Sequence, residues 1–527
     1  MTNSIKEIEY TDCIFLIGSN PTEAHPVIGT FMKRARKRGA KLIVVDPRRI
    51  ELAEDADIHI AIKPGTNIAF INAVCHVIYE EKLYDEEYIK NRTEDFDELV
   101  ETIAPYTPEY AAEICGVDAE DIRNAARIYA TADKAGIYYC LGITEHITGT
   151  RNVMSLSNLA MMTGNIGKES AGVNPIRGQN NVQGACDMGA LPADYPGYQK
   201  VFKPEVKEKF EKAWGVELSG EVGMTATEML PAAIEGKLKG LYIFGEDQAL
   251  SDPDLGHVRE AFNSLEFMIV QDMFMTPTAE FADVVLPATS YAEKNGTFTN
   301  TERRVQRVRK AIPPLSGSRV DWDIITDISR RMGYHMQYNS SEEIFDEMAS
   351  LTPSYKGISY PKIEGLGVQW PCPDADHPGT RYMHKDIMAR GVGLFMPFEN
   401  VDPAEVTDEE YPYILSTGRN LYQYNVITMT GRTEGIMQKE GSSYVEMSEE
   451  LAESLGIHNG ELIELSSRRG KIHTTARVTD TIRDNIMYMP FHYADGAANE
   501  LTNAALCPNA KTPEYKFAAV QIQKIGG

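Results

Sequence analysis

Arg177 is the only basic residue in the stretch from Ala171 to Ala190, AGVNPIRGQNNVQGACDMGA, and side-chain amides crowd around it at Asn174, Gln179, Asn180, Asn181 and Gln183. A guanidinium matches a carboxylate at two points and stays charged when partly buried. Amides offer both donors and acceptors, which suits a heterocycle with mixed edges. Glycines in the same stretch let backbone approach a ligand closely. The bland alternative is an Asn/Gly-rich surface turn with a solvated arginine. The length and low charge of the stretch bring the ligand-binding reading level with that alternative, and the two stay open on these residues.

A second set of polar residues lies just beyond short apolar runs: Asn20, Glu23, Asp46, Arg48, Glu246 and Asp272. At the ends of parallel strands, carboxylates can accept from ribose hydroxyls or a guanine edge, while helix N-termini and arginines hold phosphates. Taken singly, each is better read as a helix cap or turn residue. No GxGxxG occurs, so the ordinary dinucleotide fingerprint is absent. His76 sits within an apolar helix and reads as a core residue. His146 beside Glu145 is open, and no Ser-His-Asp arrangement follows from spacing. The polar segment EKNGTFTNTERRVQ, Glu293 to Gln306, reads as a solvent-exposed hairpin. Seven cysteines, scattered and with no CxxC pair, suit reduced thiols and give this chain no iron–sulfur or zinc motif.

Parallel strands are needed to place these residues, and the pattern supplies them. Apolar runs 13–17, 41–45 and 58–62 end in Gly-Ser-Asn-Pro, Asp-Pro-Arg-Arg and Lys-Pro-Gly-Thr, and alternate with helical patterns starting at Pro26 and capped at Thr66. A helix from Asp118 to about Ala132, a strand over 136–142 and a helix over 150–162 continue the series, and 164–198 reads as a long functional loop. Strands at 240–244, 267–270 and 283–286 make a second α/β unit. From about Pro371 short strands dominate, with one helix at 448–455, which reads as a separate β-barrel. The expected fold class is therefore α/β, with two doubly wound units facing each other around a cofactor funnel, Arg177 at its bottom, and a C-terminal β-barrel domain. The expected divisions are 1–180, 181–290, a connecting segment with part of a cluster-side domain at 291–379, and 380–527.

The chain has 527 residues, 43% hydrophobic and 24% charged, with a net charge of −25. That size exceeds one ordinary core, and the acidity argues against wrapping nucleic acid. No apolar run approaches a membrane span, and the first ten residues are not a signal peptide.

The strings GSNPTEAHP, VVDPRR, RGQNNVQGACDMGALP, GEDQALSD, ADVVLPATS, EKNGTFTNTERRVQ and TPEYKFAAV together resemble the molybdopterin-dinucleotide oxidoreductases. RGQNNVQGACDMG, preceded by TGNIGKESAGVNP, resembles the formate dehydrogenase catalytic subunits within that family. The resemblance runs through essentially the whole chain. It implies two molybdopterin guanine dinucleotides around one molybdenum or tungsten, a fold like that of DMSO reductase, and oxidation of formate to CO2. It implies that Arg177 orients formate. It also places Asn20, Glu23, Asp46, Arg48, Gly65, Leu141, Glu145, Gln179, Gly245, Glu246, Asp247, Gln271, Asp272, Arg419, Asn499, Tyr515 and Lys516 at or beside the cofactor. Electrons would pass to a partner subunit, an iron–sulfur or flavin protein linked to NAD or a deazaflavin, and the location would be cytoplasmic. The alternatives are a non-catalytic scaffold subunit of a larger redox complex and a nitrate reductase-like member.

In such proteins the [4Fe-4S] cysteines, the metal-ligating residue and the histidine after it precede the point where Met1 aligns. No residue of this chain is therefore expected to ligate the metal, and the chain alone is expected to be inactive. The missing ligand is expected to be selenocysteine, with the reading frame opening downstream of its UGA codon. A split gene or a deliberately shortened protein would look the same. A selenol ionises more readily than a thiol, as an anionic metal ligand must. A TGA codon followed closely by a histidine codon, in frame upstream, is the test.

Overall fold

The run Cys13–Ile17 is buried at every position and forms the middle strand of a parallel sheet. The order across the sheet is Ile58–Ile60, Lys41–Val45, Cys13–Ile17, Ala135–Tyr139, Gly172–Pro175, with every neighbouring pair parallel. Successive side chains of a strand point to opposite faces. Cys13, Phe15 and Ile17 pack with Ile43, Val45 and Ile60 under the helices Asn67–Glu80, Ala119–Ala130 and Gly149–Met162. Ile14 and Leu16 pack with Leu42 and Val44 against the helix Pro26–Lys37. Both faces are thus covered, as a parallel sheet requires. The computed structural model describes residues 1–525.

The chain divides into two units. The first comprises residues 1–176, 250–258 and 382–527 and holds this sheet together with a closed six-stranded barrel. Around the barrel run Tyr413–Gly418, Ile486–Pro490, Tyr444–Met447, Lys471–Val478, Leu462–Ser466 and Ala518–Lys524. Alternate residues such as Leu415, Val445, Ile463, Leu465, Met487, Met489 and Val520 fill its interior. Ser448 caps the helix Glu449–Leu455, accepting from the Leu451 N–H, and Leu451 and Ala452 join the same core.

The second unit comprises residues 177–249 and 259–381. Its parallel sheet has Phe267–Asp272 between Gly240–Phe244 and Val284–Pro287. The polar segment read as a solvent-exposed hairpin does form a hairpin, Gly296–Thr299 pairing antiparallel with Arg304–Val308, which also pairs with Val368–Gln369. It is not solvent-exposed: Glu293, Thr299, Glu302, Arg303 and Val305 are buried because the third strand covers it. Among the described residues no helix is long and apolar enough to cross a membrane.

Three other local expectations change. Thr66 occupies the N-cap position of its helix, but its hydroxyl donates to the Lys63 carbonyl at 2.8 Å instead of capping. The strand expected to reach residue 142 ends at Tyr139. Leu141–Thr144 is a helical turn, because the Gly142 N–H turns back to the Gly18 carbonyl at 3.1 Å. The stretch expected as one long loop, 164–198, contains the edge strand Gly172–Pro175, the helix Val182–Asp187 and the first strand, Asp194–Tyr195, of a hairpin completed by Gln199–Lys200.

The barrel carries a histidine that cannot accept a second proton without losing a contact. His492 is fully buried; its Nδ1–H donates to the Asn425 carbonyl and its Nε2 accepts from the Asn420 backbone N–H at 3.0 Å. Burial, with Arg419 nearby, pulls it from an ordinary 6.5 down to about 4. The unfolded chain then takes up the proton first. The stability that His492 contributes is fully present above pH 6.5 and is lost as pH falls towards 4. Comparison of the parent with His492→Gln by urea denaturation should show the parent losing on the order of 3 kcal/mol more over that interval. An identical pH dependence in both proteins would disprove it.

Candidate functional site

Within the first unit, the C-terminal ends of the parallel strands and the rim of the barrel enclose one cleft. From the sheet come Gly18, Ser19, Asn20 and Glu23, then Asp46 and Arg48, then Cys140, Leu141 and Gly142. The barrel supplies Thr417, Arg419, Tyr488, Phe491 and Lys516. Strand ends are where open α/β sheets bind ligands, since the loops there are free of the ladder.

Arg48 is the centre of this cleft. Its backbone N–H donates to Asp46 Oδ1 at 3.0 Å. Its guanidinium lies 3.7 Å from the centroid of the Tyr488 ring, 3.1 Å from Glu446 and 3.9 Å from Glu23. The Tyr488 hydroxyl donates to the Arg419 carbonyl at 2.6 Å, so the ring that supports one arginine also sets the backbone of the other. Lys516 pairs with Glu145 at 2.6 Å and donates to the Thr417 carbonyl at 2.8 Å. Burial pushes the carboxyls of Glu23 and Asp46 above the usual range, and Arg48 pulls both back.

Among the described residues, the buried Ser19 Oγ, Arg48 Nε and Arg419 Nε of this cleft have no hydrogen-bond partner. A buried polar group left unpaired costs about 1–3 kcal/mol, so these atoms mark where a ligand's acceptors fit. Beside them Gly18 and Gly142 touch backbone to backbone; a Cβ on Gly142 would lie 2.6 Å from Gly18 Cα. Two cations with spare donors, two carboxyls held above their usual range and a gap lined by glycine suit a nucleotide. Its phosphates would meet the cations, and its base or ribose would bring N–H and O–H groups to Glu23 and Asp46.

The sequence-based residues thus fall into groups. Asn20, Glu23, Asp46, Arg48, Leu141, Arg419 and Lys516 line the cleft, and Glu145 reaches it through Lys516. Gly65 is buried at φ +90° against Pro403. Asn499 and Tyr515 both donate to the carbonyl of Ser251, and Asn499 also to that of Leu250, which ties the segment 250–258 into the unit. Ser19, Gly142, Tyr488, Phe491 and Glu446 were not singled out in the sequence. Only Ser19, next to Asn20 in the Gly-Ser-Asn-Pro turn, carried a local signal. His146 is neutral: it is buried, Nε2–H donates to the Gly142 carbonyl at 3.1 Å, and burial lowers it to about 4. His76 hydrogen-bonds the Ile103 carbonyl, as a helix-packing residue does.

In the second unit the Arg177 backbone N–H donates to Thr301 Oγ1 at 3.2 Å and its Nη1 to Cys186 Sγ at 3.5 Å. Three of the neighbouring amides serve structure rather than a ligand. Asn174 belongs to the first unit and accepts from the Asn3 N–H. Asn181 accepts from the Thr299 N–H at 2.9 Å, and Gln183 donates to Asp187 at 2.8 Å. Gln179 is half-buried and Asn180 exposed. Of the strand-end residues here, Gly245 and Glu246 are exposed. Asp247 accepts from Thr278 N–H and Oγ1, and Asp272 Oδ1 from the N–H groups of Met273 and Phe274. Gln271 donates to Asp321, which pairs with Lys294.

Comparison with known proteins agrees with this geometry. Residues 1–331 match the family description Molybdopterin oxidoreductase, and residues 413–519, the barrel, match Molydopterin dinucleotide binding domain. The chain is 49% identical over 530 residues to the F420-dependent formate dehydrogenase subunit alpha of Methanocaldococcus jannaschii, covering all of this chain and 78% of that protein. It is 46% identical over 533 residues to formate dehydrogenase H of Escherichia coli, again over its full length and over 74% of that protein. In fold it is similar to acetylene hydratase from Pelobacter acetylenicus, with a TM-score of 0.76 at 20% identity, over 99% of this chain and 80% of that one. The cleft at the strand ends, the barrel that closes it and these full-length matches have one source: the chain belongs to the molybdopterin oxidoreductase family.

Proposed function

We propose that the chain is the catalytic subunit of a formate dehydrogenase, which oxidises formate to CO2 with release of one proton and two electrons. The observation that carries this reading is Arg177, the one basic residue of the stretch from Ala171 to Ala190, anchored at its backbone by Thr301 and at its tip by Cys186. A fork held at both ends can present two parallel donors to a carboxylate of formate's size, and fixed orientation of the C–H bond lowers the barrier. The printed names of the relatives, formate dehydrogenase alpha subunits among them, support the same substrate.

The cleft of the first unit would hold a molybdopterin guanine dinucleotide. Arg48, Arg419, Lys516 and Ser19 Oγ would take its phosphates, and Glu23 and Asp46 the hydrogens of its base or ribose. Gln179, Gly245, Glu246, Asp247, Gln271 and Asp272 would serve a second such cofactor. When bound, the molybdenum or tungsten centre supplies the two-electron acceptor for formate oxidation. Electrons would leave to a partner subunit carrying iron–sulfur or flavin, linked to NAD or a deazaflavin, and a [4Fe-4S] cluster would belong to protein outside this chain's residues.

The test is metal, pterin and activity analysis of the native complex isolated with its partners. Molybdenum or tungsten with two pterin dinucleotides, and reduction of an artificial acceptor by formate but no turnover of nitrate, is the expected result. Nitrate turnover would transfer the chain to another branch of the family, and a complex without metal would make it a scaffold.

A further inference from the structure

Asp187 is a fully buried carboxylate with four neutral donors around it. Gln183 Nε2 and Trp370 Nε1 donate to it at 2.8 Å, the Tyr198 hydroxyl at 2.7 Å, and the Tyr355 hydroxyl makes a further short contact. Burying a carboxylate is costly unless hydrogen bonds replace its water, and several strong donors can do so without a cation. Burial, and then the neighbouring Asp187 carboxylate, push both phenols far above their ordinary range, so they stay protonated and keep donating. Such a cluster is more than the short helix Val182–Asp187 needs to pack. An alanine or leucine would fill the same space at less electrostatic cost.

The position of the cluster gives it a use. Asp187 directly follows Cys186, whose sulfur receives Arg177 Nη1. At the other end of the same helix, Asn181 is held by the Thr299 N–H, and two residues later Thr301 receives the Arg177 N–H. The donors to Asp187 come from its own helix, from the turn after it, and from two distant segments around residues 355 and 370. The helix is therefore pinned at both ends, and its pinned C-terminal end carries the sulfur against which the guanidinium rests.

We infer that Asp187 is a positioning residue for substrate: it locks Cys186 in place and so aims the Arg177 fork at a planar oxyanion. This rests on the formate reading above, and it concerns the orientation of Arg177 rather than its identity. Losing the carboxylate charge weakens four hydrogen bonds together, and an amide in its place must turn an N–H towards groups that are themselves donors. The helix end then relaxes, and a guanidinium displaced by even an ångström loses its two-point grip.

The experiment uses the complete holoenzyme complex carrying Asp187→Asn, with Tyr355→Phe as a milder second variant. KM and kcat for formate, metal and pterin content, and the dissociation constant for nitrate by calorimetry are measured. Nitrate serves as a planar oxyanion without a C–H bond. Asp187→Asn should raise KM for formate and Kd for nitrate at least tenfold, and Tyr355→Phe should raise both about threefold. A purely structural role would lower cofactor content and apparent kcat but leave KM of the surviving active fraction unchanged, and that result would overturn the proposal. Should Asp187→Asn fail to fold, Tyr355→Phe decides alone by the same KM criterion. If the parent complex does not oxidise formate, the functional reading fails, while a nitrate Kd that rises in the variants still upholds Asp187. If the parent neither oxidises formate nor binds nitrate, both fall.

Discussion

Arg177→Ala in the native complex is expected to lower kcat/KM for formate about a thousandfold, on the order of 4 kcal/mol, with metal and pterin content unchanged. The size follows from two charge-assisted hydrogen bonds of roughly 1.5–3 kcal/mol each, less what water recovers in the emptied space. Retention of the pterins is expected because the substitution leaves the donors of the first-unit cleft, Arg48, Arg419 and Ser19 Oγ, unaltered. Arg177→Lys should recover little, because an ammonium restores the charge but not the fork, and its shorter reach abandons Cys186. Steady-state kinetics at low formate, with parallel metal analysis, checks both variants. Turnover unchanged in Arg177→Ala would remove the residue from the reaction.

The second large effect is expected from Gly142→Ala. Gly142 lies just beyond the sheet strand Ala135–Tyr139, Gly18 follows Cys13–Ile17, and the two meet without side chains. The Gly142 N–H donates to the Gly18 carbonyl, and an added Cβ would lie 2.6 Å from Gly18 Cα and 2.7 Å from its oxygen. Those neighbours are backbone of the turn that closes a buried strand, so they cannot swing aside. Gly142 has no positive φ, so the contact alone is being tested. The cost of overpacking is typically about 1–3 kcal/mol where side chains can give, and backbone contact puts this case at about 3 kcal/mol or more. Because both glycines line the cleft, cofactor content should fall as well. Gly39→Ala is the matched control: Gly39 has φ +99° but nothing within 4 Å of its Cβ position, so only local strain of about 1–2 kcal/mol is expected. Urea denaturation and pterin content of the two variants give the comparison. Equal losses would show that conformation, not contact, governs the site.

Several elements here are legible in the chain alone because their signals are local. The run Cys13–Ile17 and its closing turn Gly18-Ser19-Asn20-Pro21 announce a buried parallel strand, since five apolar residues without alternation suit a strand covered on both faces. Asp118 before an amphipathic run announces a cap, and it accepts from the Glu120 N–H. The polar segment 293–306 announces a hairpin. Where two local patterns compete, the chain alone is ambiguous. Residues 164–198 lack periodicity because their strand lies at a sheet edge and their helix is only six residues long.

What tertiary structure decided is which polar residue meets which. Nothing near Arg48 in sequence points to Tyr488 or Glu446, nor anything near Glu145 to Lys516; the barrel brings those partners from the far end of the chain. The amides around Arg177 look alike in sequence, yet Asn174, Asn181 and Gln183 hold backbone and a buried carboxylate, while Gln179 is half-buried beside the arginine. Asp187 reads as one more acid in a loop until Tyr198, Tyr355 and Trp370 close around it. The physical reason is the same in each case. Apolar periodicity and turn chemistry act over a few residues and leave their record in order along the chain. Hydrogen bonds and ion pairs take whichever donor the packed core delivers, and burial then decides whether a polar side chain holds the fold or waits for a ligand.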